Sequence, residues 1–256
     1  FSFHTIQLDL HMTQPWRATN NSLQIDAMPF YWRLSESSSK FPDITQQLPI
    51  RVTADEQFDY LKFEPTDNEW ATIDEAYRQN ENIGFLNPDS GQMATYGASV
   101  NNFFLKAIRQ TQATRIFEIG CGAGYSICFL RDQGYNITGI DPSEYSLHWS
   151  ERLGFNLIND FFREGLVDEN PNFIYCNDVF EHVRDVAQFS RMVYDLLDND
   201  GAFCIATTNS TRSIAIGDIS MFEHQHVNMF TERSLRLILR NAGFSDVDIM
   251  YGTYGN

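Results

Sequence analysis

Residues 116–124 read Ile116-Phe117-Glu118-Ile119-Gly120-Cys121-Gly122-Ala123-Gly124, an apolar strand that runs into three glycines at alternate positions with an acid two residues before the first. Glycine takes positive φ without a Cβ penalty and lets backbone approach a ligand closely. Behind a strand, such a turn belongs at the carboxyl end of an open α/β sheet, where nucleotides bind. The dinucleotide fingerprint G-x-G-x-x-G requires its third glycine at position 125. That position holds Tyr125, and the glycine stands at Gly124 instead. Glycine-rich turns also arise for steric reasons alone, so the residues that follow decide the reading.

Those residues fall in a consistent order. A helix is expected over 125–133, with Gly134 as its stop, and Asn136–Asp141 forms a second strand ending in an acid. Asp141 lies about 20 residues beyond the first glycine, where a Rossmann-type unit places a carboxylate for ribose hydroxyls. It also suits the N-cap of a helix with Pro142 at the first position, and the two roles are compatible. Phe155–Ile158 is a short third strand before Asn159-Asp160-Phe161, and a fourth starts at Phe173 and ends near Asn177 and Asp178. Residues 187–197 carry a helical apolar stripe read as core packing, Asp198–Gly201 makes a turn, and Ala202–Thr207 is a fifth strand. A helix over Glu232–Asn241 ends at Gly243, and Asp246–Tyr251 is a sixth strand. This alternation predicts an α/β fold, a Rossmann-like doubly wound and mostly parallel sheet.

The run Glu118-x-Gly120-x-Gly122-x-Gly124 resembles motif I of the class I S-adenosylmethionine (SAM)-dependent methyltransferases. Asp178-Val179-Phe180-Glu181-His182-Val183 resembles the segment after the fourth strand in many small-molecule members of that family. The resemblance covers about residues 95–251. It implies SAM as cofactor, S-adenosylhomocysteine (SAH) as product, and a cofactor site drawn from Tyr96, Glu118, Gly120, Cys121, Gly122, Gly124, Asp141, Pro142, Asp160, Phe161, Asn177, Asp178 and His182. In the family the glycines pass under the amino-acid and ribose parts of SAM, and an acid placed as Asp160 reads the adenine amino group. Asp160 is equally at home as a turn residue. Tyr96 either contacts the methionine end of SAM or packs.

On the acceptor side, Met221-Phe-Glu-His224-Gln225-His226-Val-Asn-Met-Phe-Thr231 resembles the His-rich segment of surface-polysaccharide and deoxysugar methyltransferases. Thr231 is expected to cap the next helix. On an extended segment, His224 and His226 would project to one side, one taking a proton from the acceptor and the other orienting it. Their alternative is structural, with His224 on a backbone carbonyl and His226 packing beside Phe230. Gln225 stands where the resembling C-methyltransferases carry Glu, and their zinc-binding cysteine module is missing. The expected reaction is therefore methyl transfer to a hydroxyl of a small acceptor, preferably a sugar or glycan precursor. A NAD-dependent oxidoreductase and a non-catalytic methyltransferase-like domain remain as alternatives.

Composition narrows the partners. A net charge of −16, from 18 basic and 34 acidic residues, repels a phosphate backbone, so nucleic acid is not the expected acceptor. No stretch approaches the roughly 20 apolar residues of a membrane span, and no signal-peptide pattern opens the chain. Cys121, Cys128, Cys176 and Cys204 lack paired C-x-x-C spacing, so no metal is expected and reduced thiols point to the cytoplasm. The expected organisation is an irregular extension over 1–70 and a SAM-binding domain over 71–256, with a lid and helix at 71–110 and a core at 113–256. Phe1 in place of Met, and an end at Asn256 before a last strand, suggest a fragment. Within the extension Gln7–His11 alternates like a strand and Ser35–Pro42 reads as a loop. Asn87–Gly91 is a turn cluster ahead of an apolar-faced helix at Ser99–Ile108.

Overall fold

A computed structural model describes residues 16–18, 22–30, 47–79, 91–167, 170–218 and 223–252. The strand expected at 7–11, the loop at 35–42, most of the turn cluster at 87–91, and Met221 and Phe222 lie outside these residues. In chain order the elements begin with β1 (Trp16–Ala18), β2 (Ser22–Pro29), β3 (Gln47–Asp55), β4 (Tyr60–Phe63) and α1 (Asp67–Gln79). Then follow α2 (Gly91–Thr111), β5 (Ile116–Ile119), α3 (Tyr125–Asp132), β6 (Ile137–Ile140), α4 (Glu144–Leu153), β7 (Asn156–Ile158) and β8 (Phe173–Asn177). The chain continues through a 3₁₀ turn (Phe180–His182), α5 (Val186–Leu196), β9 (Ala202–Ala206), α6 (Thr211–Ile216), β10 (Asn228–Met229) and α7 (Glu232–Ala242).

These elements fall into two compact units. One holds the described residues up to Ala76 together with Asn209–Leu237, and the other holds Tyr77–Thr208 with those from Ile238 onward. The division differs from the expected 1–70 and 71–256, because the stretch after β9 leaves the parallel sheet.

The second unit carries a five-stranded sheet in the order β7-β6-β5-β8-β9, every neighbouring pair parallel. The chain builds outward from β5 to β7, then returns to start β8 on the other side of β5. Parallel crossovers are right-handed, so this reversal sends the connecting helices to opposite faces of the sheet. The core beneath it combines Phe104 and Ile108 of α2 with Ile116, Ile127, Leu130, Phe173 and Tyr175. Rings of Phe104 and Tyr175 lie 4.5 Å apart. Asp185 caps α5, its carboxylate accepting from the Gln188 N–H at 2.9 Å.

The expected sixth strand does not form. Residues 246–251 carry no strand, and Met250 and Tyr251 are 61% and 70% exposed. Alternating side chains suit a strand only where a neighbour's backbone supplies the ladder, and none among the described residues pairs with this segment.

The first unit replaces the expected irregular extension with an antiparallel sheet in the order β1-β2-β3-β4-β10. Ile50 and Val52 of β3 alternate into its core, each 1% exposed. Met229 of β10 pairs with Leu61 of β4, so the sheet is completed by a strand distant in sequence. At the start of α1, the Thr66 N–H donates to Glu69 at 2.6 Å and the Glu69 N–H to the Thr66 hydroxyl at 3.4 Å, a capping box.

Candidate functional site

The switch point of the parallel sheet, between β5 and β8 at their carboxyl ends, is where open α/β folds bind ligands. The three glycines lie there in left-handed backbone, with φ of 73° at Gly120, 50° at Gly122 and 71° at Gly124. Two are also fixed by packing. A Cβ on Gly120 would stand 2.3 Å from a Val179 methyl, and one on Gly124 would stand 2.2 Å from the Phe155 ring. The spacing that singled out Gly124 therefore follows from the neighbouring strands as well as from any ligand. Cys121 is buried, its carbonyl accepting from the Gly124 N–H at 2.8 Å.

Asp141, 3% exposed, joins the turn to β6. Its Oδ2 accepts the Gly122 N–H at 2.9 Å, while Oδ1 accepts from the Ser143 N–H at 2.9 Å and the Ser143 hydroxyl at 2.6 Å. Each carboxylate oxygen has two lone pairs, so Oδ1 is filled and Oδ2 has one acceptor position left for a ligand hydroxyl. The cap of α4 is Ser143, accepting from the Ser146 N–H at 3.1 Å, and not Asp141. Pro142 thus precedes the cap, and Asp141 stays with the glycine turn.

Glu118 lies below the turn, 2% exposed, and accepts from the Tyr175 hydroxyl at 2.9 Å. Ser126 is 3.2 Å from the same phenol. Burial lifts the Glu118 carboxyl to about 8; the Tyr175 hydrogen bond opposes this and the Asp141 charge adds to it. The acid is thus kept neutral near pH 7, as a fixture of the turn.

Beyond β7, Asn159 donates to the carbonyls of Asp141 at 2.9 Å and Ser143 at 3.0 Å, tying the ends of two strands together. Asp160 accepts from the Phe161 N–H at 2.8 Å and from Arg163 at 3.2 Å, with Arg78 3.6 Å away. The Phe161 amide first, and then the two guanidiniums, hold the Asp160 carboxyl below its usual range. The Arg78 guanidinium sits 4.7 Å from the centre of the Phe161 ring.

Beyond β8, Tyr96 of α2 reaches both oxygens of Asp178, at 2.9 and 2.8 Å, and lies 3.3 Å from Asn177. Asn177 donates to Asp178 at 3.0 Å. Asp178 has φ of 50°, left-handed backbone uncommon outside glycine. Burial and the Glu181 charge raise its carboxyl to about 6, against the Tyr96 hydrogen bond and the His182 charge. Glu181 is 1% exposed and accepts from Thr207 at 2.8 Å, and His182 meets the Tyr77 ring edge-on at 5.9 Å.

All thirteen residues expected around the cofactor belong to the second unit, in or just beyond its strands and on α2. Sequence reasoning missed Ser143, Asn159, Tyr175 and Arg78. Ser143 had a signal, a hydroxyl three residues before Ser146 at a helix start; the others act across sequence-distant contacts that no local pattern records.

The two histidines belong to the first unit and do not form an extended pair. The Val227 N–H donates to the Gln225 carbonyl at 3.1 Å, a turn centred on His226. His224 is 2% exposed, with Nε2 3.2 Å from the Leu48 carbonyl and the rings of Phe30 and Phe63 at 5.5 and 5.8 Å. Burial lowers its pKa against that hydrogen bond and the Glu69 charge. A ring walled by aromatics and set against a backbone carbonyl is the arrangement expected of its structural alternative. His226 is half-buried. Thr231 caps α7 as expected, accepting from the Ser234 N–H at 3.1 Å.

The family described as "Methyltransferase domain" matches residues 89–249. Among curated proteins, the ubiquinone biosynthesis O-methyltransferase of Rickettsia conorii is 25% identical over 53% of this chain and 49% of its own length. The protein of the same name from Azorhizobium caulinodans is 26% identical over 41% of this chain and 45% of its own. The chain thus spans about half the length of the curated relatives it matches. The plantazolicin methyltransferase BpumL, solved with SAH, aligns over 70% of this chain and 71% of its own at 19% identity and a TM-score of 0.49. With more than half of its residues inside the family's match, and the glycine turn joined to Asp141 within that match, the chain belongs to the class I SAM-dependent methyltransferase family.

Proposed function

We propose that the chain transfers the methyl group of SAM to a hydroxyl of a small acceptor, with a sugar or glycan precursor preferred. The observation that carries the cofactor half is the buried joint between the Gly122 N–H and Asp141, which leaves one Asp141 acceptor position for a ribose hydroxyl. Gly120, Cys121, Gly122 and Gly124 then run beneath the ligand, and Asp160 and Phe161 take the adenine. Tyr96, Asn177, Asp178 and His182 serve the methionine end.

The acceptor oxygen attacks the methyl carbon in line. SAM, when bound, would supply the methyl carbon and keep the electron pair of the carbon–sulfur bond on sulfur as SAH, and the hydroxyl proton would leave to a base. Holding the oxygen against the methyl supplies much of the acceleration. In this proposal His226 takes the proton, since an imidazole titrates near neutrality. His224 is already engaged with Leu48. The four free cysteines fit a reducing compartment, and we assign the activity to the cytoplasm. Among the described residues no helix is long and apolar enough to cross a membrane.

A second reading has an acceptor from ubiquinone biosynthesis, favoured by the names of the curated relatives. Calorimetry with SAH and NADH, followed by labelled methyl transfer to sugar nucleotides, glycans and small phenols, tests both. SAH binding with label on a sugar or glycan supports the proposal, and label on phenols alone selects the second reading. SAH binding without transfer points to a non-catalytic domain. NADH binding in place of SAH overturns the cofactor assignment.

A further inference from the structure

We propose that Arg78 is a positioning residue for the adenine end of the cofactor, a role that rests on the function proposed above. Arg78 stands in the last turn of α1 and makes two contacts with the end of β7. Its guanidinium lies 3.6 Å from Asp160 Oδ1 and 4.7 Å from the centre of the Phe161 ring. One planar cation therefore fixes both the acid and the aromatic ring assigned to the nucleobase.

The acid's hydrogen bonds explain why such a residue is needed. Asp160 Oδ1 is occupied by the N–H of its own neighbour, Phe161, at 2.8 Å, and Oδ2 by Arg163 at 3.2 Å. Each oxygen keeps a lone pair for an adenine amino group, but to free the Phe161 N–H for a ring nitrogen the carboxylate has to turn. Arg78 and Arg163 offer it cationic partners on both sides during that turn. Asp160 stays charged and close to its site instead of swinging into water. Arg163 is the more exposed of the two at 61%, against 47% for Arg78.

Arginine suits this position better than lysine. Its guanidinium is flat, stacks on aromatic faces and keeps several donors in one plane for a carboxylate. A lysine restores the charge but not the plane. The effect belongs to binding, since the adenine lies away from the transferred methyl and contributes equally before and during transfer.

The test measures dissociation constants of SAH and of 5′-methylthioadenosine, which has the adenosine end but no amino-acid end, for the wild type, R78A and R78K. R78A is expected to weaken both ligands by the same factor, about tenfold. R78K should recover part of the loss, leaving about threefold. With an active acceptor in hand, KM for SAM rises while kcat changes by less than about twofold. Unchanged affinities in R78A overturn the proposal, as does a loss confined to SAH, which would place Arg78 at the amino-acid end. Full recovery in R78K reduces the role to charge alone and overturns the stacking argument. A wild type that binds neither ligand overturns the function itself, a result distinguishable from failure of the Arg78 role alone.

Discussion

The glycine turn of the parallel unit and the histidine segment of the antiparallel unit are both short runs that resemble a known family, yet the structure treats them differently. The residues expected around the glycines stand in or just beyond the strands of one sheet, with Tyr96 reaching in from α2, and the acid after β6 bonds directly to the turn. The histidine pair is split, with one ring inside the first unit's core and the other at a turn. The glycine pattern encodes backbone conformation, which is local. The histidine pattern encodes side-chain direction, which depends on strands far away in the chain.

The largest expected effect breaks the better-determined region. In G124V, a β-branched residue is forced to φ near 71° against the Phe155 ring. The parallel unit should lose about 5 kcal/mol or more, from left-handed strain and overpacking together. Thermal unfolding that matches the wild type would show that the turn relaxes and that the glycines answer to the ligand alone.

A somewhat smaller effect concerns the acid beneath the turn. Glu118 releases its proton at about 8 when folded, against an ordinary value of 4.5. Below 4.5 the carboxyl is neutral in both states and has no effect on stability. As pH rises from 4.5 to 8 the unfolded chain ionises first, so folding loses stability through that window and levels off above it. E118Q, permanently neutral, should match the wild type near pH 4.5. By pH 8 it should exceed it by on the order of 4 kcal/mol, at about 1.36 kcal/mol per pKa unit. Urea midpoints at several pH values measure the gap, and a constant gap would refute the buried-acid account.

The histidines sharpen the other side of the comparison. H226N should lower kcat per folded molecule about 100-fold if it removes the base. H224Q should do the reverse, lowering stability by about 1–2 kcal/mol through lost aromatic packing while leaving kcat per folded molecule intact. Equal losses of kcat in both variants would restore the two histidines to a common role.

How far the sequence could be read follows the same division. The strands from β5 to β9, with α3 and α5, lie within a residue or two of their expected bounds, because apolar runs, glycine stops and caps are local signals. The sheet of the first unit was missed because its last strand, β10, pairs with β4 across most of the chain. In β3 the residues either side of Ile50 and Val52 are half-covered, so burial there does not alternate cleanly. The sixth strand expected over Asp246–Tyr251 finds no partner among the described residues. Within the cofactor site the acids and glycines were legible as residue types at strand ends. What each carboxylate is bonded to was not, and Ser143 in place of Asp141 as the cap of α4 shows the cost of reading an acid before Pro142 by type alone.

One amide has a consequence for how a nucleoside is measured. Asn159 bonds the carbonyls of Asp141 and Ser143 from the end of the neighbouring strand, next to Asp160. The acid proposed for ribose and the acid proposed for adenine are therefore coupled through a crossbar of backbone and side chain. The interval between them works as a caliper set before any ligand arrives. A sugar and base at the correct spacing enter with no change in that interval beyond a turn of the Asp160 carboxylate, and a longer or shorter linkage meets a gauge that resists adjustment.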